Sequence, residues 1–168
     1  MRRANASNYL APIQSAGKYH VKIIAIASGG GHWEQMMLLR PAFVGAEVKY
    51  ITTLAGLPKR SGITDYELVH ECNRNDLRKL AANTLRLFWT IAKYRPDVII
   101  TTGALPGLIA IALARKLFRK HTIWIDSVAN GKELSMSGRM AKHFSSLWLT
   151  QWEEVAASTG ASYFGRVI

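Results

Sequence analysis

Cysteine is nearly absent from this 168-residue chain. With Cys72 as its single thiol, neither an internal disulfide framework nor a multi-thiolate zinc site can be built. The five histidines, His20, His32, His70, His121 and His143, fall at no metal-ligand spacing, so no resident metal is expected. Acidic residues are scarce: 11 Asp and Glu stand against 22 Lys and Arg, a formal net charge of +11. No apolar run approaches the ~20 residues that a membrane-spanning helix needs. The opening residues lack a signal-peptide core, because Asn5, Ser7, Asn8, Pro12 and Gln14 interrupt it. Residues 1–20 read as a mobile basic arm ahead of a single domain over 21–168. A second full-sized domain does not fit this length, so a machine needing two must draw the other from another chain.

What is present is a well-populated core and a strongly basic surface. Hydrophobic residues make up 49% of the chain and five are Trp, too apolar for a disordered protein. Excess positive charge suits nucleic acid, an anionic membrane or a phosphorylated substrate. No helix-turn-helix, zinc module or RNA-recognition signature appears, so a basic Rossmann-like nucleic-acid-binding protein stays the alternative and nucleic acid is not the expected partner.

From Lys22 onward the text alternates between two periods. Lys22–Ser28, Val48–Thr53, Tyr66–His70, Asp97–Thr102, His121–Asp126 and Leu147–Thr150 read as short buried strands. Helical spacing covers His32–Leu39, Asn75–Lys93, Leu105–Phe118 and Gly138–Phe144, the second with a stripe of Leu77, Leu80, Ala81, Leu85, Phe88 and Ile91. Strand, glycine-containing turn and helix in repetition predict an α/β protein with a Rossmann-like, doubly wound, mostly parallel sheet. Ligands of such sheets sit beyond the carboxyl ends of the strands.

Three loops collect at that edge. Ser28-Gly29-Gly30-Gly31-His32 follows the first strand; glycines let backbone approach a ligand closely, and the helix start behind them suits phosphate. It is not a dinucleotide fingerprint, because Glu34 takes the last glycine position, and no phosphate loop of the G-x-x-x-x-G-K-[ST] kind exists. His32 is placed to orient a substrate hydroxyl, act as a base, cap the helix or touch a phosphate. Thr101-Thr102-Gly103-Ala104-Leu105-Pro106-Gly107 supplies a second glycine turn, with Pro106 in a first helical turn. Asp126-Ser127-Val128-Ala129-Asn130-Gly131 supplies a carboxylate that either accepts from a sugar hydroxyl or caps the next turn; the residues leave both open.

These loops in this order resemble the accessory subunit of two-component glycosyltransferases. The densest match is Asp126-Ser127, then Leu134-Ser135-Met136-Ser137-Gly138, then Gln151-Trp152. Gly29–His32 is also similar to the glycine-rich loop in the N-terminal half of the peptidoglycan N-acetylglucosaminyltransferase. Thr102-Gly103-Ala104 stands where the family often has Asn-Gly-Pro, Asp126 where it often has Glu, and Asn130 where a basic residue is common. The resemblance implies the N-terminal half of a GT-B glycosyltransferase, with no bound cofactor of its own. A separate catalytic subunit would bind the nucleotide-sugar donor, a UDP-sugar. This chain would receive a polyprenyl-diphosphate-linked acceptor for exopolysaccharide or lipid-linked oligosaccharide synthesis. In that setting Ser28, Gly29, Gly30, Gly31, Gly103, Pro106, Ser127 and Asn130 bind acceptor or phosphate, and His32 and Asp126 take part in the chemistry.

Two further segments fit a subunit held peripherally at the cytoplasmic face of a membrane and docked to a partner. Arg74, Arg78, Lys79, Arg86, Lys93 and Arg95 face a single acid, Asp76, with Leu87, Phe88 and Trp89 widening the apolar side. Arg115 and Lys116 begin a second basic cluster, and such residues contribute about 1 kcal/mol each near an anionic leaflet. The tail, Ser162–Ile168, is apolar and aromatic with no acid, and a terminal segment of this kind frays unless something buries it. Tyr163, Phe164, Gly165, Val167 and Ile168 are the expected docking residues, since in the resembling family the extreme C-terminus docks into the catalytic partner.

Overall fold

The computed structural model describes residues 20–72 and 75–167. The expected N-terminal arm (apart from His20), Arg74 and Ile168 lie outside the described residues. Six strands form one sheet: β1 Lys22–Ala27, β2 Glu47–Thr52, β3 Tyr66–Leu68, β4 Val98–Thr101, β5 His121–Ile125 and β6 Leu147–Leu149. Their order is β3-β2-β1-β4-β5-β6 and every pairing is parallel. The helices are α1 Gly31–Leu38, α2 Leu57–Arg60, α3 Leu77–Tyr94, α4 Ala104–Lys116, α5 Met136–Ala141 and α6 Glu153–Thr159, with a 3₁₀ turn at Arg40–Phe43.

Alternation along β1 divides the core. Ile24 and Ile26 join Ile51, Ile99 and Trp124 under Leu87, Ile91 and Ile111 of α3 and α4. Ile23, Ala25 and Ala27 share the opposite cluster with Trp33, Met36 and Tyr50, so small side chains stand on the face that takes the indole. The doubly wound expectation holds, with a wholly parallel sheet.

Two details depart from the sequence reading. The short helices α2 and α6 and the 3₁₀ turn are additional; α6 buries only Val155, so it leaves no apolar period to read. On α3 the apolar stripe read from the sequence is mostly turned away from the core. Of its six members only Ile91 is buried, while Leu77 and Leu85 are 71% and 61% exposed. The helix instead turns Asn83, Leu87 and Ile91 to the sheet. Asn83 looks polar in any pattern, yet its amide is satisfied in the interior. It accepts from the His70 N–H at 2.9 Å and donates to the His70 carbonyl at 2.7 Å and to Cys72 Sγ at 3.2 Å. The displaced stripe lines an open cleft of about 520 Å³ between α3 and α4, among Leu77, Leu80, Leu85, Phe88, Leu113 and Leu117.

Candidate functional site

The strand order reverses between β1 and β4, and the loops leaving their carboxyl ends flank that switch point. After β1, Ser28 is buried and the Gly29 N–H donates to Thr53 Oγ1 at 3.0 Å. Gly30 has φ 72, and its carbonyl accepts the Trp33 and Glu34 amides at 3.0 and 3.2 Å, closing the first turn of α1. A Cβ at Gly30 or Gly31 would meet no atom within 4 Å. Neighbouring atoms therefore do not demand glycine at Gly31; the loop presents bare backbone to open space beside a helix N-terminus.

His32 clasps the loop after β4. Its Nδ1 lies 2.8 Å from the Thr102 carbonyl, an acceptor, so Nδ1 carries the proton there. Thr102 Oγ1 returns a bond to the His32 carbonyl at 2.7 Å. The imidazole lies against Gly103, where a Cβ would stand 2.5 Å from Cε1. In the neutral ring this leaves Nε2 as an acceptor on a half-buried side chain. The two glycine turns thus adjoin, as the sequence predicts. Ala104 follows with φ 67, a left-handed value uncommon outside glycine. Proline cannot take that angle, so the Asn-Gly-Pro of the resemblance drawn above could not be seated at Thr102-Gly103-Ala104 in this conformation. Pro106 is buried in the first turn of α4. Gly107 packs so closely on Thr101 Oγ1 that no Cβ fits.

Asp126 is 1% exposed and its carboxylate is occupied within the chain. Oδ1 accepts from Ser135 Oγ at 2.7 Å and Trp124 Nε1 at 3.2 Å; Oδ2 accepts from Asn130 Nδ2 at 3.0 Å and the Ser135 N–H at 3.1 Å. Gly138 abuts Oδ1, and Ser135 Oγ caps α5 through the Gly138 N–H at 2.8 Å. Asp126 thus organises its own loop and supports the Ser135 cap of α5, with both carboxylate oxygens accepting bonds from within the chain. Asn130 donates to Asp126 through Nδ2, and Ser127 Oγ accepts from Gln35 Nε2 at 3.1 Å and the Ala129 N–H at 3.3 Å. The spaced acid and Ser-x-Ser-Gly residues are one cluster, to which Trp148 is joined by donating from Nε1 to the Gly138 carbonyl at 2.8 Å.

Sequence reasoning missed Gln35 and gave Gln151 no role. Both are buried, and Gln151 Nε2 donates to Gln35 Oε1 at 2.7 Å. The available signal for Gln35 was an amide directly ahead of the apolar run Met36-Met37-Leu38-Leu39. Trp152 Nε1 donates to the Val128 carbonyl at 2.7 Å. One face of its ring lies on Gly131, and the Arg166 guanidinium sits 3.8 Å from its centroid. The tail therefore runs along its own domain: Ser162 bridges Leu149, and the Val167 N–H donates to Gln151 Oε1 at 3.0 Å. Tyr163 and Val167 are half-buried, Phe164 is 55% exposed, and Gly165 turns the chain at φ 107.

The basic residues lie on α3 and the end of α4, on the sheet face opposite α1. Arg78, Lys79, Arg86, Arg115 and Lys116 are exposed, as is Trp89 at 63%. Two are paired: Lys79 with Asp76 at 3.2 Å and Arg86 with Glu67 at 2.6 Å. Bonds from the Lys79 N–H and ammonium hold the Asp76 carboxyl below its ordinary range. A second cleft of about 850 Å³ flanks α3, among Lys22, Lys49, Arg86, Trp89, Lys93 and Tyr94. Burial, then the Glu47 and Asp65 charges, push the Tyr94 hydroxyl well above the usual phenol range. Among the described residues no helix is long and apolar enough to cross a membrane, and no group of three or more His, Cys, Asp or Glu could hold a metal ion.

The fold defines the class first: a Rossmann-like domain of the kind found in MurG-type GT-B enzymes. The chain matches Acinetobacter baumannii MurG with a TM-score of 0.63 and 12% identity, over 78% of this chain and 41% of that one. It matches a putative UDP-N-acetylglucosamine 2-epimerase from Listeria monocytogenes with a TM-score of 0.68 and 14% identity, over 84% and 41%. UDP-GlcNAc 2-epimerase from Neisseria meningitidis, bound to UDP-GlcNAc, matches with a TM-score of 0.63 and 13% identity, over 83% and 43%. This chain thus spans about two fifths of the length of these structures. No curated protein sequence matches it. The chain belongs to the family described as oligosaccharide biosynthesis protein Alg14 like, whose model matches residues 68–167.

Proposed function

We propose that this chain is the acceptor-side subunit of a two-component GT-B glycosyltransferase. It binds a polyprenyl-diphosphate-linked acceptor and brings a separate catalytic subunit, carrying the UDP-sugar, to the cytoplasmic face of a membrane. The complex serves polysaccharide or lipid-linked oligosaccharide synthesis. The observation that carries this is the pair of glycine turns at the switch point, clasped by His32 and open at Gly30 and Gly31, in a chain of the Alg14-like family.

Transfer breaks the bond between the donor sugar's anomeric carbon and the diphosphate and forms one to the acceptor hydroxyl oxygen. The hydroxyl proton needs an acceptor, and His32 Nε2 supplies one, with Nδ1 fixed by the Thr102 carbonyl so that the ring cannot turn away. The unpaired amides at the start of α1 and its positive dipole end receive the acceptor diphosphate, as at other helix N-termini. Ser127, Asn130 and Asp126 act behind this surface by holding the neighbouring loop.

The α3–α4 face supports membrane attachment. Exposed Leu77, Leu85, Trp89 and Leu117 stand among basic residues, whereas a nucleic-acid surface has little use for exposed leucines. Sedimentation with vesicles tests this. The chain should bind vesicles rich in anionic lipid and bind neutral ones weakly. The Leu85→Asp/Trp89→Asp variant should bind the anionic vesicles about tenfold or more weakly, because each large apolar side chain contributes about 1.5–3 kcal/mol on full burial. Unchanged binding by a folded double variant would remove this face from the proposal.

A further inference from the structure

Gln35 and Gln151 have no part in the chemistry proposed above, yet they connect its two ends. Gln35, 4% exposed, lies one turn into α1. Its Nε2 donates to the Gly31 carbonyl and to Ser127 Oγ, each at 3.1 Å. Its Oε1 accepts from the Val128 N–H at 3.0 Å and from Gln151 Nε2 at 2.7 Å. Gln151, 1% exposed, also donates through Nε2 to the Asp126 carbonyl at 3.0 Å, while its Oε1 accepts the Val167 N–H at 3.0 Å. Neither amide is free to flip. The Val128 and Val167 N–H groups only donate and the Gly31 and Asp126 carbonyls only accept, so each oxygen and nitrogen has one allowed place.

A path of three hydrogen bonds therefore runs from the Val167 N–H through Gln151 and Gln35 to the Gly31 carbonyl. The bond between the two glutamines is buried, as are both side chains, so an amide group of either that loses its partner has little access to bulk water for another. We propose that Gln35 is a positioning residue that couples the seating of the tail to the geometry of the glycine loop. When the Val167 amide leaves Gln151 Oε1, the two glutamines re-pair and the Gly31 carbonyl loses its clamp. Under the function proposed above, on which this consequence rests, partner capture at the tail and acceptor seating at the loop become linked. Each then changes the other's affinity by the same factor.

The test is residue-resolved hydrogen exchange on the full chain alone. Val167→Pro removes the donor N–H and keeps an apolar side chain; Val167→Ala keeps the N–H and trims the side chain. The Trp33 and Glu34 amides, which donate to the Gly30 carbonyl, report opening of the loop and first turn. They should exchange about tenfold faster in Val167→Pro than in Val167→Ala, the size of one lost hydrogen bond. Gln35→Glu still accepts from Val128 and Gln151 but cannot donate to Gly31. In that background the two Val167 variants should exchange alike, with thermal melts confirming that each is folded. Equal exchange in the wild-type background, or a Val167→Pro effect that survives Gln35→Glu, would overturn the coupling. If Gln35→Glu does not fold, the Val167 pair alone decides. No partner or sugar is present, so failure here leaves the proposed function standing, and an inactive complex leaves the coupling standing.

Discussion

Gly103→Ala is expected to lower acceptor use by the complex about a hundredfold or more while the chain stays folded and still captures its partner. The added Cβ would lie 2.5 Å from His32 Cε1 and 2.7 Å from Nδ1, at a backbone φ of 134 that L side chains rarely adopt. The neighbour on that side is a ring held at Nδ1 by the Thr102 carbonyl, so relief comes by swinging the imidazole out and losing that 2.8 Å bond. A correctly placed base contributes about 10²–10⁴ in rate, which sets the size of the loss. His32→Ala should cost about as much, and the double variant little more, because both changes act through one ring. Kinetics of sugar transfer against acceptor concentration, with melting curves for each variant, read this out. Normal kinetics from folded Gly103→Ala would show that the clasp serves packing alone.

Removing Arg166–Ile168 is expected to weaken partner capture about a hundredfold. Val167 is half-buried against its own domain, so a partner that covers the rest of it gains part of the ~1.5–3 kcal/mol available per large apolar side chain. Losing the two large apolar residues of the segment, Val167 and Ile168, brings the loss near two tenfold steps of 1.4 kcal/mol. The deletion also strips the Val167 bond from Gln151 Oε1 and the Arg166 guanidinium from Trp152. Phe164→Ala separates the effects: it leaves Gln151 satisfied and should weaken capture about tenfold. A truncated chain that is folded and holds the partner as tightly as the full one would transfer docking to another surface.

The strands were legible because a sheet buried on both faces writes continuous apolar runs, and Lys22–Ala27 and Val98–Thr101 are such runs. The two glycine turns were legible for a related reason, since Gly30 and Gly103 adopt positive φ at helix starts. The buried face of α3 was not. Asn83 satisfies its amide on His70 and Cys72, a tertiary fact that no single-residue polarity scale encodes. Asp126 and Gln35 fail to be read for the same reason. The Asp126 carboxylate is spent on Ser135, Asn130 and Trp124, and Gln35 is bonded across the molecule to Ser127, Val128 and Gln151. A motif names the residues of such a cluster without saying whether they face a ligand or one another.

Partner dependence of turnover tests the two-subunit proposal most directly. The chain is purified alone and as a complex with a co-expressed candidate catalytic subunit. Each preparation is then assayed with a panel of UDP-sugars and a membrane lipid extract containing polyprenyl-diphosphate-linked acceptors. The complex should transfer one sugar to the lipid fraction, and the chain alone should transfer none above background. Turnover by rigorously partner-free chain at the rate of the complex would contradict the two-subunit assignment.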